Sequence, residues 1–290
     1  MKIGMNGTCL HCYFGKNMET ALSLGSEAQA LAFGKDLMQL LLSAPEGVPS
    51  PWFGPGVSDL FQKHYGLSED RYVQEKLDSN RFFLTHETAI ADRIAAQADP
   101  VYAGLQFAIL GNYIDFSALK GQVSFEKLEE MLNSALEMDL DRQCYAKLQA
   151  DLIKGKKLLY LTDNAGEIGF DKLCAQAIAR AYPHLQITFC VRGGPALNDA
   201  TREDAAVVGV TFPVIDNGNR VPGTDLEQMG DEARQALQEA DVILAKGMAN
   251  VETLFGRGHN IYFAFLVKCQ MFADIFGKPL MSPMLVAQEA

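Results

Sequence analysis

The chain has 290 residues and a formal net charge of −11, with 48% hydrophobic and 21% charged residues. That composition provides for a sizeable buried core in one large domain or two ordinary ones, and it lacks the basic footprint that duplex binding requires. No apolar run approaches the roughly 18 residues needed to cross a bilayer, Ile261 to Val267 being the nearest and only strand-sized. Six cysteines over this length are too sparse for a disulfide scaffold, and the first residues, Met1-Lys2-Ile3-Gly4, lack the apolar centre of a signal peptide, so a reducing cytoplasm is expected.

The first half reads as helical. Between Met18 and Ser43 apolar residues recur at steps of three or four, as on a helix face. Residues 44–55, with four prolines and two glycines, read as a loop. Ser58 is the expected cap of a short helix through His64, and Arg71–Ala98 and Pro100–Leu110 follow as further helices. Ser124 is suited to cap a helix through Glu137, and Asp141–Ile153 closes the series. No alternating strand pattern is evident before Gly155.

From Lys156 the rhythm changes. Short apolar runs at Lys157–Thr162, Gln186–Val191, Val210–Ile215, Asp241–Ala245 and Ile261–Leu266 alternate with helical patterns, among them a helix through Ala181 and another over Met229–Ala240. Strands alternating with helices imply a mostly parallel sheet covered on both faces, with its ligand crevice at the carboxyl ends of the strands. The expected fold class is α/β, a three-layer α/β/α domain over 156–290 preceded by an all-helical domain over 1–155.

The chemistry-bearing residues fall at those strand ends. Asp163-Asn164-Ala165-Gly166-Glu167 stands where the first strand gives way to a helix. Asp163 and Asn164 are hard oxygen donors suited to a divalent cation, and a helix N-terminus favours phosphate; equally, either residue can simply cap the helix. Arg192-Gly193-Gly194-Pro195-Ala196-Leu197-Asn198-Asp199 leaves the second strand at the same edge, so Asp199 is expected to meet Asp163 and Asn164, and two adjacent carboxylates repel unless a cation lies between them. Lys246, leaving the fourth strand, is positioned to neutralise phosphate oxygens or to sit solvated at the surface, while the loop from Asp216 to Thr224 walls the pocket or is a plain turn. In the helical half, Asn112 and Asp115 are polar residues in an apolar stretch, facing the crevice or marking a helix stop at Gly111. Cys9-Leu10-His11-Cys12 is half of a zinc pattern with no second half.

Three of these segments, Asp163-Asn164-Ala165-Gly166-Glu167, Asn198-Asp199-Ala200-Thr201 and Lys246-Gly247-Met248-Ala249-Asn250, together resemble the signatures of the damage-control phosphatases, and the likeness extends to the Cys9–Cys12 pair, to Gly111–Asp115 and to Tyr262–Cys269. The usual pattern has a second glycine where this chain has Ala249. The resemblance implies a divalent metal (Mg²⁺, Mn²⁺, Co²⁺ or Ni²⁺) held by Asp163, Asn164 and Asp199. It also implies a substrate drawn from small phosphorylated metabolites such as sugar phosphates or phosphorylated cofactor precursors. Gly166, Glu167, Asn112, Asp115, Asn198 and Asn250 are the expected substrate-facing residues. Hydrolysis by metal-activated water, with Lys246 stabilising the phosphoryl charge, is the expected mechanism. A Rossmann-type methyltransferase and a non-catalytic metabolite binder are the competing readings.

Overall fold

The computed structural model describes residues 2–68, 72–113 and 125–288. Helices occupy the chain up to Lys154: α1 (Gly7–Leu24), α2 (Glu27–Ser43), α3 (Gly54–Tyr65), α4 (Val73–Ala95), α5 (Pro100–Tyr113), α6 (Phe125–Ser134) and α7 (Arg142–Lys154). The remainder alternates as β1 (Lys157–Leu161), α8 (Glu167–Ala181), β2 (Gln186–Val191), α9 (Arg202–Val207), β3 (Val214–Asp216), α10 (Asp231–Glu239), β4 (Val242–Lys246), α11 (Gly247–Leu254), β5 (Ile261–Leu266), α12 (Gln270–Phe276) and β6 (Pro283–Gln288).

Several local expectations are corrected. The pattern over Met18–Ser43 is two helices, because Gly25 ends the first and Ser26 caps the second through a reciprocal pair with Gln29. Helix α1 starts at Gly7, its first turn closed by the Asn6 side chain accepting from the Cys9 amide. Ser58 lies inside α3, which begins at Gly54 with Pro55 in its first turn. Gly111 and Asn112 continue α5 rather than ending it. The strand expected over Val210–Ile215 shrinks to Val214–Asp216; Pro213 just before it has no N–H to give a ladder, though its carbonyl accepts from Phe189. Asp141 caps α7 as its position suggests, accepting from the Gln143 and Cys144 amides.

The sheet has the order β3-β2-β1-β4-β5-β6, parallel except for β6, which pairs antiparallel with β5. Side chains alternate between its faces. Leu158, Tyr160, Phe189, Leu244 and Tyr262 pack with residues of α4, α5, α7 and α8, among them Phe83, Phe107, Leu148 and Phe170. Leu159, Leu161, Ile243, Phe263 and Phe265 pack with α10–α12 through Leu237, Val251 and Phe272. The protein is thus a mixed α/β, three-layered fold. Its change of secondary structure falls at Gly155, but its core runs through that point, because the helices before it cover one face of the sheet. Helices α1–α3 enclose a smaller cluster of their own around Phe33, Leu37 and Phe61.

The chain winds from β1 through β2 to β3 on one side and from β4 to β5 on the other. The switch point lies between β1 and β4, and the loops that leave β1, β2 and β4 converge above it. Among the described residues no helix is long and apolar enough to cross a membrane.

Candidate active site

The segments after β1 and β2 are zipped together by backbone. Ala165 N donates to Asn198 O at 2.9 Å and Ala200 N donates to Asp163 O at 2.7 Å, an isolated bridge that pairs Asn164 with Asp199. This fixes Asp163, Asn164 and Asp199 on one wall. The strand β4 approaches from the other side, and Gly247 packs so tightly that a Cβ there would lie 2.0 Å from Asp163 Oδ2. Gly247 also has φ +76°, a conformation that only glycine adopts without strain. Gly166 has a matching constraint: its φ is +74° and a Cβ would meet Ser79 of α4 at 2.7 Å.

Asn112 reaches down from α5 and donates to both Asp163 Oδ2 (2.8 Å) and Glu167 Oε2 (2.9 Å). Asn164 Nδ2 donates to the same two oxygens, each at 3.0 Å. Arg192, fully buried, donates from Nε to Asp199 Oδ2 at 2.5 Å and from Nη2 to Thr162 O at 3.1 Å. One turn along α8 from Glu167, Asp171 shares Lys246 with it: Lys246 Nζ lies 2.8 Å from Glu167 Oε1, 2.8 Å from Asp171 Oδ1 and 2.7 Å from Ala108 O.

Lys246 is therefore not the exposed point charge expected. It has no accessible surface, and its three ammonium hydrogens have three protein acceptors. Asn250 is likewise enclosed: its amide donates to Thr162 O and Lys246 O, and its carbonyl oxygen accepts from Thr224 Oγ1, so it ties the β1 and β4 ends together. Asn198 is half-buried beside Asp199. Asp115 lies outside the described residues. The loop Asp216–Thr224 braces the pocket through Asn217, which accepts from Gly193 N at 2.8 Å and donates to Gly223 O at 3.2 Å.

Burial pushes the Asp163 carboxyl well above the usual range; the charges of Glu167 and Asp199 add to the effect and Arg192 opposes it. Burial also raises Asp199 against the pull of Arg192. For Glu167 burial is outweighed by the charge of Lys246 and by the donors around it, and its pKa falls. Asp171 touches the same lysine but has fewer donors, with Oδ2 unpartnered, and burial carries it up to about 7.

Four buried carboxylates (Asp163, Glu167, Asp171, Asp199) thus enclose two buried cations (Arg192, Lys246), with smaller influences from Lys268 and Lys76. With all four acids ionised the set has two negative charges more than its two cations offset, the charge of one divalent ion. Asn112 Oδ1 is buried without a partner beside Asp163. The donor set of two carboxylates and an amide is oxygen-only and fits a hard cation. Among the described residues no three His, Cys, Asp or Glu side chains are grouped to hold a metal, so such an ion would depend on Asn164 as well as the acids.

Arg192, Asp171 and Asn80 were not singled out from the sequence. Asp171 was legible in principle, four residues from Glu167 on one helix face. Asn80 was not: it comes from α4, where its Oδ1 accepts from Gly166 N at 2.7 Å.

Cys9 and Cys12 lie on α1 around a separate cavity of about 550 Å³, together with Cys269 and Glu252. Burial raises the Glu252 carboxyl from 4.5 to about 7, against the hydrogen bond from Ser50 Oγ at 2.6 Å. Between those two pH values the folded chain holds a proton that the unfolded chain has lost. Stability from this group is therefore full below about 4.5 and fades as pH rises to 7, by up to about 3 kcal/mol. Glu252→Gln, which copies the protonated form, is expected to be the more stable protein at pH 8 and to match the parent at pH 4; chemical melts at the two values check this, and equal stabilities at pH 8 would refute it.

The buried acids gather at the switch point of a layered α/β sheet, the place where such folds bind their ligands. The chain matches the damage-control phosphatase ARMT1-like domain over residues 5–283, and it belongs to that family. It is 34% identical over 213 residues to a damage-control phosphatase of Archaeoglobus fulgidus, covering 72% of this chain and 73% of that one. A damage-control phosphatase of Pyrococcus horikoshii is 31% identical over 211 residues (71% and 70%), and an uncharacterised protein of Methanocaldococcus jannaschii 30% over 283 residues (93% and 90%). The crystal structure of a DUF89 family protein from Pyrococcus horikoshii superposes with TM-score 0.80 at 26% identity, covering 99% of this chain and all of that one. Family and relatives make the chain a phosphatase, and so a hydrolase.

Proposed function

We propose that the chain hydrolyses small phosphorylated metabolites, damaged ones among them, with a divalent cation held by Asp163, Asn164 and Asp199. The observation that carries this reading is the charge imbalance of the enclosed set, four carboxylates against two cations, at the carboxyl edge where such sheets bind ligands. When bound, the ion supplies Lewis acidity and lowers the pKa of a coordinated water. The protein's own contribution is positioning. The backbone zipper sets Asn164 opposite Asp199 with Asp163 beside them, Asn112 orients Asp163 and Glu167, and Gly247 keeps the space beside Asp163 free of side chain. Lys246 acts through Glu167 and Asp171, fixing them and balancing their charge. Oxygen donors admit Mg²⁺, Mn²⁺, Co²⁺ or Ni²⁺.

The dinucleotide or methyl-donor alternative gains nothing from the site. The position where a ribose-binding carboxylate would end β2 is occupied by Val191 and then Arg192, committed to Asp199.

The test is to strip the protein with chelator, assay phosphate release from a panel of phosphorylated sugars and cofactor precursors, and add back each ion in turn. Release that needs an ion and disappears in Asp163→Ala and Asp199→Ala is the expected result. No release with any ion would overturn the proposal.

A further inference from the structure

Next to the candidate active site, between α4 and the loop after β2, lies a cavity of about 440 Å³ whose floor and rim differ in character. Four of its lining residues are apolar yet exposed: Val73 (50%) and Leu77 (42%) on α4, Leu197 (42%) on the loop and Val207 (47%) on α9. Apolar side chains gathered around one opening suit the apolar part of a ligand.

The floor is polar and borders the site through Arg192 and Asn80. Arg192 lines the cavity while pairing with Asp199, and its Nη1 is buried with no hydrogen-bond partner. Asn80, also on the floor, holds Gly166 N. The cations of the lining are already paired: Lys76 with Asp204 at 2.6 Å, Arg202 with Asp216 at 2.6 Å and Arg192 with Asp199 at 2.5 Å. The cavity therefore offers no free charge for a second anionic group.

Leu197 adds an independent mark. It is a non-glycine residue at φ +52°, two residues before Asp199. A leucine there costs on the order of 1 kcal/mol relative to glycine, and such strain persists where it serves a site.

We propose that this cavity is the subsite for the alcohol part of the phosphate ester, and that it selects substrates whose alcohol carries an apolar chain or ring. The inference rests on the phosphatase reading above and deepens it, since it favours amphipathic phosphomonoesters over small polyol phosphates.

The experiment uses methyl, butyl and hexyl phosphate, whose alcohols leave with nearly equal ease, so that kcat/KM reports on binding of the chain. A fully buried methylene is worth about fourfold; kcat/KM is expected to rise at least about tenfold from methyl to butyl. Leu77→Lys and Val207→Lys change exposed positions and are expected to flatten that slope. Leu197→Gly is expected to reduce the slope while melting no lower than the parent, a combination that a purely structural leucine would not produce. A kcat/KM independent of chain length, or a slope unchanged in all three variants, would overturn the subsite while leaving the phosphatase reading intact. Absence of turnover on every ester with every ion would instead sink the phosphatase reading. Binding of methyl-, butyl- and hexylphosphonate, measured by calorimetry on the full chain, then decides the subsite on its own: tightening with length supports it and equal affinities reject it.

Discussion

Asp163→Asn is expected to lower kcat/KM by on the order of 10³ while leaving the protein folded and, without added metal, at least as stable as the parent. The loss follows from removing one of two carboxylates brought near each other where the β1 and β2 ends are bridged, an electrostatic contribution of the size seen when a preorganised charged or polar group is deleted. The retained stability follows from the same geometry. Asp163 is enclosed with three other acids and only two bases, so its ionised form is a burden on the folded state. Asparagine keeps the volume and still offers an oxygen to Asn112, whose amide now donates to Asp163 Oδ2. Exchanging function for stability in this way is common at sites built from like charges. Steady-state kinetics at saturating cation and a melt in chelator check the two halves. A melt several degrees below the parent would show that Asp163 is structural.

Lys246→Met is expected to act the other way, through stability. Its ammonium group has three acceptors and no access to solvent. Removing it strands Glu167 and Asp171 in the core, a loss of about 3–5 kcal/mol, or roughly 10 °C in melting temperature for a chain of this size. Adding Glu167→Gln and Asp171→Asn to the same protein is expected to recover much of that loss, because the three groups form one unit and their effects are not additive. If Lys246 met the phosphate directly, Lys246→Met would keep its melting temperature and raise KM; that outcome would refute the enclosed arrangement.

The contrast between these two residues shows what the sequence could disclose. Asp163, Asn164 and Asp199 were legible because each stands just past an apolar run, and strand ends in a parallel sheet share an edge. The change of rhythm at Lys156 was legible for the same reason. The fate of Lys246 was not, since its burial depends on Asp171 lying one turn along α8 and on Ala108 O arriving from α5. By sequence Arg192 marks only the end of a strand; its pairing with Asp199 needs the loop to fold back seven residues. Strand β6 escaped because its identity as a strand comes from antiparallel pairing with β5 and not from any alternation of its own. The start of α3 was misplaced because Ser58 is a good cap in isolation, while Pro55 in the preceding turn is a better starting point.

The outer edge of the sheet at β3 has a consequence for how the protein behaves in concentrated solution. An uncovered strand edge invites pairing with another chain and, from there, aggregation. Here the edge strand is three residues long, Val214–Asp216. Phe189 takes the carbonyl of Pro213, so alternation turns the Val214 carbonyl outward, and Arg202 donates to that carbonyl while its Nε holds Asp216 at 2.6 Å. A single arginine thus takes one of the outward carbonyls that a foreign strand would need, and it leaves a charged group where that strand would have to lie.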